Sequence, residues 1–203
     1  APRSTVAEAL SPLRQPLYRA MWLATFGSNI GTFIQQAGAS VMVAELSPSP
    51  LVVAAIQAAG SLPGLMLALP AGALADVVDR RRLILGAQLW MFVVSLVMTV
   101  LAAMQWLNQQ GLLLLVLLSA AGTALAGPAS RAILGEVLPH EEIPRAVTLE
   151  AAGLNLARAA GPLIAGVLLA WVGPWSAFAL NTLTFIGLIT VLVSWRRAKR
   201  ACD

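Results

Sequence analysis

The chain has 203 residues, of which 59% are hydrophobic and 11% charged, whereas a soluble globular domain carries about 25% charged residues. This composition excludes an ordinary soluble domain and predicts a polytopic helical membrane protein, because a span needs about 20 apolar residues and the chain can hold about six. The net charge of +4 does not indicate nucleic-acid binding, because the basic residues form small groups between uncharged runs and aromatic residues do not alternate with them.

Apolar windows predict six membrane-spanning helices joined by short segments with helix-breaking residues. The predicted spans cover residues 17–41, 51–75, 83–105, 111–131, 147–171 and 175–195. The sequence therefore predicts an all-α fold with one six-helix transmembrane bundle at 17–195. A cytoplasmic amino-terminal segment is expected at 1–16, and a basic cytoplasmic segment at 196–203.

The basic residues predict the orientation of the spans. Of the 13 Lys and Arg residues, all except Arg158 lie in the terminal segments or beside the second and fourth joints, and the other joints carry only Glu45 as a charge. Because Lys and Arg accumulate on the cytoplasmic side of a membrane, both termini are expected to be cytoplasmic.

Two predicted spans carry small residues at every fourth position. The rows are Gly60, Gly64, Ala68 and Gly72 in span two, continued by Asp76, and Gly153, Ala157, Gly161 and Ala165 in span five. Small residues let helix backbones approach closely in lipid, so each row predicts a packing face. Since spans two and five are the middle helices of two triads with opposite orientations, the rows predict inverted three-helix repeats. The abundance of Gly and Ala in membrane helices is the alternative explanation.

The turn after span two combines carboxylates with three consecutive arginines. Its residues include Gly72, Asp76, Asp79, Arg80, Arg81 and Arg82. Their spacing resembles the signature loop between helices two and three of major facilitator superfamily transporters. Residues 21–36, 47–76 and 155–169 resemble the branch of enterobactin-exporter-like proteins, the transmembrane secretion effectors. Gly161, Pro162 and Gly166 also resemble the Gly-Pro motif of antiporting exporters in this superfamily.

This resemblance implies the amino-terminal half of a 12-helix transporter that exports small amphipathic molecules, siderophore-like or drug-like, across a bacterial plasma membrane. The implied mechanism is alternating access driven by an ion gradient, with a second six-helix half from the same parent chain or from a second copy. Residues 196–203 would then begin a central linker. The expected partners are the lipid bilayer, that second half and a small-molecule substrate, without nucleic acid, metal or cofactor.

Two other classes of function remain open at this stage. A non-transporting assembly or regulatory subunit would share the composition, but a transporter requires polar residues of spans one, two, four and five to meet at mid-depth. A membrane-embedded enzyme is disfavoured, because no His, Asp and Glu cluster is visible.

Asp76 is the predicted gate residue. It lies at the carboxyl end of a helix, where its negative charge opposes the helix dipole, so it needs a nearby cation. We expect Arg131, at the same end of span four, to be its partner, and the family resemblance implies a charge network there. Alternatively, Arg80–Arg82 only fix topology and bind lipid headgroups.

Arg158 is the predicted mid-membrane charge, about 16 Å into span five at 1.5 Å per residue. A charge at that depth usually faces a cavity or a partner. Two roles are open for Arg158. In the functional one it contacts substrate or forms an ion-pair switch, and in the structural one it caps carbonyls freed by Pro162. Further lining candidates, each of which could instead form an interhelical hydrogen bond, are Asn29, Gln35, Gln36, Gln57, Asn155 and Asn181.

Overall fold

The structure is a computed structural model that describes residue 8, residues 10–47 and residues 49–195. A 3₁₀ turn at Ser11–Arg14 is followed by eight helices in this part of the chain, and no strand is formed within it. The helices are α1 (Pro16–Leu46), α2 (Pro50–Met66), α3 (Ala68–Val77), α4 (Arg80–Ala103), α5 (Gln109–Ala132), α6 (Leu134–Val137), α7 (Ile143–Trp171) and α8 (Trp175–Ser194). The all-α prediction is therefore confirmed. The predicted segment 196–203 and residues 1–7 and 9 of the predicted segment 1–16 lie outside the described residues.

The predicted joints supply the residues that start the helices. Proline occupies the first turn of α1, α2 and α7, where the missing N–H has no helical partner and the fixed φ suits the helix. Asp79 caps α4 by accepting a hydrogen bond from the backbone N of Arg82 at 3.0 Å. Asn108 caps α5 in the same way through the backbone N of Gly111 at 2.8 Å. These caps satisfy amide groups that would otherwise be unpaired.

Predicted span two is broken into α2 and α3, which meet at an angle of 47° around Leu67. Pro70 explains the break, because its nitrogen cannot donate to the carbonyl of Met66 and its ring would clash with that carbonyl. Pro63, Pro128 and Pro162, by contrast, lie within helices that continue past them.

Among the described helices, four are long and apolar enough to cross a membrane, and the bent pair α2 and α3 makes a fifth if it is counted as one span. The four are α4, the α5–α6 segment Gln109–Val137, α7 and α8. The 31-residue helix α1 is not among them, although it is the longest. It carries Asn29, Gln35 and Gln36 near its middle, which lowers its hydropathy. Six spans therefore remain a prediction.

Two helices organise the packing. Helix α1 packs against α8 and α7, helix α5 packs against α4 and the α2–α3 pair, and α4 packs against α8. One apolar core, around Val43, Met98 and Phe178, lies towards the end of the bundle that holds the α4–α5 and α7–α8 loops. Another, around Ile84, Ile133 and Leu192, lies towards the end that holds Arg80–Arg82, which we call the basic end.

The two small-residue rows differ in their surroundings. All four members of the span-five row are buried in α7, and a Cβ at Gly161 would overlap the Cβ of Phe33 on α1. In span two, Gly60, Gly64 and Ala68 are exposed. The α2–α3 pair instead uses a neighbouring face, with Ile56 and Ala75 buried in clusters that include residues of α5. The packing face predicted for span five is therefore occupied by α1, whereas the row of span two is left exposed.

Candidate functional site

The larger cavity of the bundle has a volume of about 560 Å³ and is lined by α1, α5 and α7, with α4 and α8 behind them. It lies in the half of the bundle nearer the basic end. Polar side chains come from every one of these helices except α8 and include Thr25, Asn29, Thr32, Gln88, Thr123, Arg131 and Glu150. Its size is in the range of cavities that hold small molecules.

A smaller cavity of about 350 Å³ lies between α1, α2 and α5. Gln36, Gln57 and Ser119 are among its lining residues, and Gln57 Nε2 donates a hydrogen bond to Ser40 Oγ at 3.2 Å. Thr32 and Thr123 line both cavities. We call the two cavities together the polar trough, which extends from the middle of the bundle into both of its halves.

Among the described residues, Arg131 and Glu150 are the only charged ones that line the larger cavity. They are close enough to interact electrostatically, but no salt bridge joins them, since the one salt bridge between described residues is Arg80–Glu136. Three His, Cys, Asp or Glu side chains do not come together as metal ligands anywhere in the described part of the chain. The cavity thus offers one positive and one negative group to a ligand.

An aromatic pair forms one wall of the larger cavity. Trp22 and Phe26 stack with ring centroids 5.3 Å apart and planes within 7° of parallel. Trp22 Nε1 donates a hydrogen bond to the carbonyl oxygen of Leu149 at 3.3 Å, which holds the ring against α7. The wall can therefore bind flat apolar or cationic groups.

A buried hydrogen-bond network lies beneath the trough. Gln35 Oε1 accepts hydrogen bonds from Ser95 Oγ at 2.8 Å and from Asn181 Nδ2 at 2.7 Å. Gln35 Nε2 donates to Ser119 Oγ at 3.4 Å, and Thr182 Oγ1 donates to Ser95 Oγ at 3.0 Å. The network joins α1, α4, α5 and α8. Because Asn181 is 0% exposed, the structure places it between helices and away from the trough.

At the basic end, two arginines bind the ends of neighbouring helices. Arg81 donates from Nε to the carbonyl of Leu192 at 2.8 Å and from Nη2 to that of Val193 at 2.9 Å. Arg80 Nη1 contacts the carbonyl of Ala132 and Glu136 Oε1, each at 3.3 Å. These contacts satisfy carbonyls in the last turns of α8 and α5, which lack helical partners. Arg80 and Arg81 therefore tie neighbouring helices together, which the topology alternative does not require.

Asp76 differs from its neighbours in the motif. It is exposed, and its carboxylate has neither an ion pair nor a hydrogen bond within the residues that the structure describes. Arg131, the expected partner, lies instead beside Glu150 in the larger cavity. Gly72, one turn before Asp76, has no neighbour within 4 Å of the position of a Cβ. This side of α3 is therefore open.

The comparison with known families decides the identity of the fold. A model of the transmembrane secretion effector family, MFS_3, matches residues 7–203. The chain belongs to this family. It is a branch of the major facilitator superfamily, as the motif resemblance predicted, and membership indicates membrane transport of small molecules. With its apolar helices, this family member is an integral multi-pass membrane protein. No curated protein matches the sequence.

In this secretion effector, Arg158 lies at mid-length of α7, on an exposed position. Its guanidinium carbon is 5.7 Å from the centre of the Phe33 ring, a cation–π distance. Neither Arg158 nor the exposed Asn155 lines the two cavities. Among described residues, Arg158 donates no hydrogen bond to a carbonyl freed by Pro162. The structure thus places Arg158 against α1, on an open surface of the bundle.

Of the other predicted lining residues, Asn29 lines the larger cavity, whereas Gln35, Gln36 and Gln57 line the smaller one. In the Gly-Pro motif, Gly161 is packed against α1, whereas Gly166 has open space around it.

The sequence did not single out the hydroxyl groups of the trough, such as Thr32 and Thr123. A lone threonine in an apolar helix gives no signal by itself. Glu150 was not among the predicted site residues, although a carboxylate inside a membrane span is a recognisable signal.

Proposed function

We propose that the chain is one six-helix half of an exporter that moves small amphipathic molecules by alternating access. The observation that carries this proposal is the polar trough, in which side chains from α1, α2, α5 and α7 converge. The trough reaches mid-depth, where Thr32 and Thr123 join its two cavities. Helices α1, α2, α5 and α7 contain the predicted spans one, two, four and five. A non-transporting assembly subunit has no need of such a trough, so the observation favours transport.

The packing pattern supports an arrangement in two inverted repeats. Exchanging α1 with α5, the α2–α3 pair with α7, and α4 with α8 converts each major helix contact into another one that the bundle makes. The contact of α1 with α8 becomes that of α5 with α4, and the contact of α1 with α7 becomes that of α5 with α2 and α3. Triads with an odd number of spans have opposite orientations.

The exposed row Gly60, Gly64 and Ala68 supports a second half as partner, from the same parent chain or from another copy. All three residues are exposed, and Gly64 has no neighbour within 4 Å of the position of a Cβ. Small residues permit close helix approach in lipid. A site between two bundles can open alternately to each side when one bundle rocks against the other. Asp76, on the open side of α3, would make its compensating contact in only one of the two states.

The orientation follows from the charges. With both termini cytoplasmic in a bacterial plasma membrane, the basic end faces the cytoplasm, and the larger cavity lies in the half of the bundle nearer the compartment from which an exporter takes its substrate. In a chain carrying Cys202→Ser, a cysteine introduced at Gln109 should react with an impermeant thiol reagent in intact cells. A cysteine at Arg197 should not react, and the reverse pattern would contradict this orientation.

The experiment for export is to plug the trough. Thr123→Phe places an aromatic ring where the cavities meet, and Thr190→Phe places the same ring on the exposed surface of α8 as a matched control. Efflux is measured in cells loaded with ethidium, fluorescein or Nile red, a cation, an anion and a neutral dye. The wild type and Thr190→Phe should export at least one dye faster than empty cells, and Thr123→Phe should not. Equal efflux by all three proteins would show that the trough is not the pathway.

A further inference from the structure

The described part of the chain has eight buried polar side chains, and all but two of them have hydrogen-bond partners. Those with partners are Gln35, Ser47, Ser95, Ser176, Asn181 and Thr182. The other two are Ser28 on α1 and Gln88 on α4, each 6% exposed. Gln88 Oε1 is enclosed without a partner, and neither the amide of Gln88 nor the hydroxyl of Ser28 makes a hydrogen bond with a described residue. Both residues line the larger cavity, so the buried polar side chains that lack partners meet at one place.

The position of these two side chains follows from the buried hydrogen-bond network. Helices α1 and α4 both run from the basic end towards the other end of the bundle. Ser28 lies seven residues before Gln35 on α1, and Gln88 lies seven residues before Ser95 on α4. Gln35 and Ser95 are joined by a hydrogen bond, and seven residues make about two helical turns, or about 10 Å. Ser28 and Gln88 therefore form a second layer at one level, on the same sides of their helices and nearer the basic end.

Helix α8 explains why the two layers differ. It runs in the opposite direction, and its Asn181 completes the first layer by donating a hydrogen bond to Gln35 Oε1 at 2.7 Å. Seven residues further on, at the level of Ser28 and Gln88, α8 carries Leu188, which is buried and also lines the larger cavity. Because leucine has no polar group, the second layer lacks the partner that completes the first one.

The surroundings of the second layer define the group that can complete it. The other side chains of α4 and α8 that line the larger cavity are Met91, Phe185 and Leu188, which are apolar and buried. The charged residues of the cavity lie on α5 and α7, and within the described residues α1, α4 and α8 add none to it. A charged group placed in this layer would lose its hydration without gaining a counter-charge. The amide of Gln88 and the hydroxyl of Ser28 can each donate and accept, so the matching group is neutral and does both, as a primary amide does.

We propose that Ser28 and Gln88 form a subsite for the neutral primary amide of an aromatic substrate. This rests on the proposed transport function and names a chemical class of substrate for it. The terminal torsion of a glutamine side chain is broad, so Gln88 turns Oε1 towards the cavity and accepts a hydrogen bond from the ligand amide. The ligand carbonyl accepts a hydrogen bond from Ser28 Oγ. The aromatic part of the ligand extends into the cavity, where the stacked rings of Trp22 and Phe26 form a wall that suits it.

The test is a fluorine NMR titration of the detergent-purified chain with para-fluorobenzamide and para-fluoroacetophenone. The two compounds have nearly the same shape and the same carbonyl group, but the ketone carries a methyl group where the amide carries its N–H donors. All the residues in the argument come from this chain, so binding can be measured without transport. The wild type should bind the amide at least about tenfold more tightly than the ketone, because a site with unpaired polar groups rejects an analogue that cannot pair with them.

Three variants separate the roles of the residues. Gln88→Leu should reduce the preference for the amide at least about fivefold, because it removes the acceptor of the N–H group. It should unfold in mixed detergent micelles at the same fraction of sodium dodecyl sulfate as the wild type or at a higher one, because Gln88 has no hydrogen bond with a described residue to lose. Ser28→Ala should weaken the binding of both compounds alike, because both carry the carbonyl that accepts from Ser28.

Gln110→Leu is the matched control, since Gln110 is exposed at the start of α5 and lines neither cavity. It should keep the wild-type preference. The proposal is overturned if the wild type binds neither compound or binds both alike, if Gln88→Leu keeps the preference, or if Ser28→Ala changes the binding of neither compound. It is also overturned if Gln88→Leu unfolds at a lower detergent fraction than the wild type, because Gln88 then holds the bundle together. The Thr123→Phe efflux experiment tests export separately, so failure of the subsite proposal is distinguishable from failure of the transport proposal.

Discussion

Replacing Gln35 with leucine should destabilise the bundle far more than the same change at its neighbour Gln36. Gln35 is 5% exposed, and its Oε1 accepts two interhelical hydrogen bonds, from Ser95 Oγ at 2.8 Å and Asn181 Nδ2 at 2.7 Å. Gln36 is exposed, and its side chain only lines the smaller cavity. The pair therefore compares a buried network with an open wall on one helix.

The expected magnitude follows from these bonds. Interhelical hydrogen bonds in membrane proteins contribute about 0.6 kcal/mol each on average and up to about 1.7 kcal/mol. Gln35→Leu removes these two bonds and the longer one to Ser119 Oγ at 3.4 Å. It also leaves Asn181 Nδ2 buried without its acceptor, which costs about 1–3 kcal/mol. Ser95 keeps a hydrogen bond to the carbonyl of Phe178, which limits the loss. We expect a decrease in the free energy of unfolding of about 2–3 kcal/mol for Gln35→Leu, and at most about 0.5 kcal/mol for Gln36→Leu.

Reversible unfolding in mixed detergent micelles, followed by helix content as the fraction of sodium dodecyl sulfate rises, measures this difference. Wild type, Gln35→Leu and Gln36→Leu are compared in the same micelles. If the two variants unfold at the same detergent fraction, the network does not hold α1, α4 and α8 together, and the description of Gln35 and Asn181 as interhelical residues is wrong.

Three further outcomes follow from the structure. Arg81→Ala should lower the free energy of unfolding by about 1–3 kcal/mol, because it leaves two carbonyls in the last turn of α8 without donors. The same change at the exposed Arg82 should alter it by less than about 0.5 kcal/mol. Equal unfolding curves for the two variants would contradict the capping role of Arg81. Asp76→Asn should insert and unfold like the wild type but slow dye efflux, because it removes charge from a contact made in only one of the two transport conformations. Normal efflux from correctly inserted protein would refute the role of Asp76 as a gate residue. Arg158→Ala should accumulate normally yet lose efflux or change the range of exported dyes; degradation or aggregation in mild detergent would show that its contact with Phe33 is structural.

The sequence predicted the helices well because apolar length is a local property. Pro16 and Pro50 start α1 and α2 close to the expected positions, and Asp79 caps α4 at the predicted turn. The break at Leu67 was not predicted, although Pro70 is its local cause. The position of α1 within the membrane is less clear from composition, because the same polar residues that line the trough reduce its hydropathy.

The side chains of the site were harder to predict, because their roles depend on which helices become neighbours. Gln35 and Gln36 are adjacent in sequence and both line the smaller cavity, but only Gln35 is buried and held in the hydrogen-bond network. Arg158 was expected to face a cavity or a partner, yet Glu150 lines the larger cavity and Arg158 does not. Residue type and depth predicted that these groups matter, whereas the packing of α1 against α7 determined what each one contacts.

The most direct test of the half-transporter account is dye flux into liposomes as a function of the number of chains per liposome. A site between two bundles needs two halves, so liposomes holding a single chain should show no flux above that of empty liposomes. Any activity should appear only at densities that allow two chains to meet, and it should rise with the square of the chain density. Flux that is proportional to chain number, and present in liposomes with one chain each, would contradict the account.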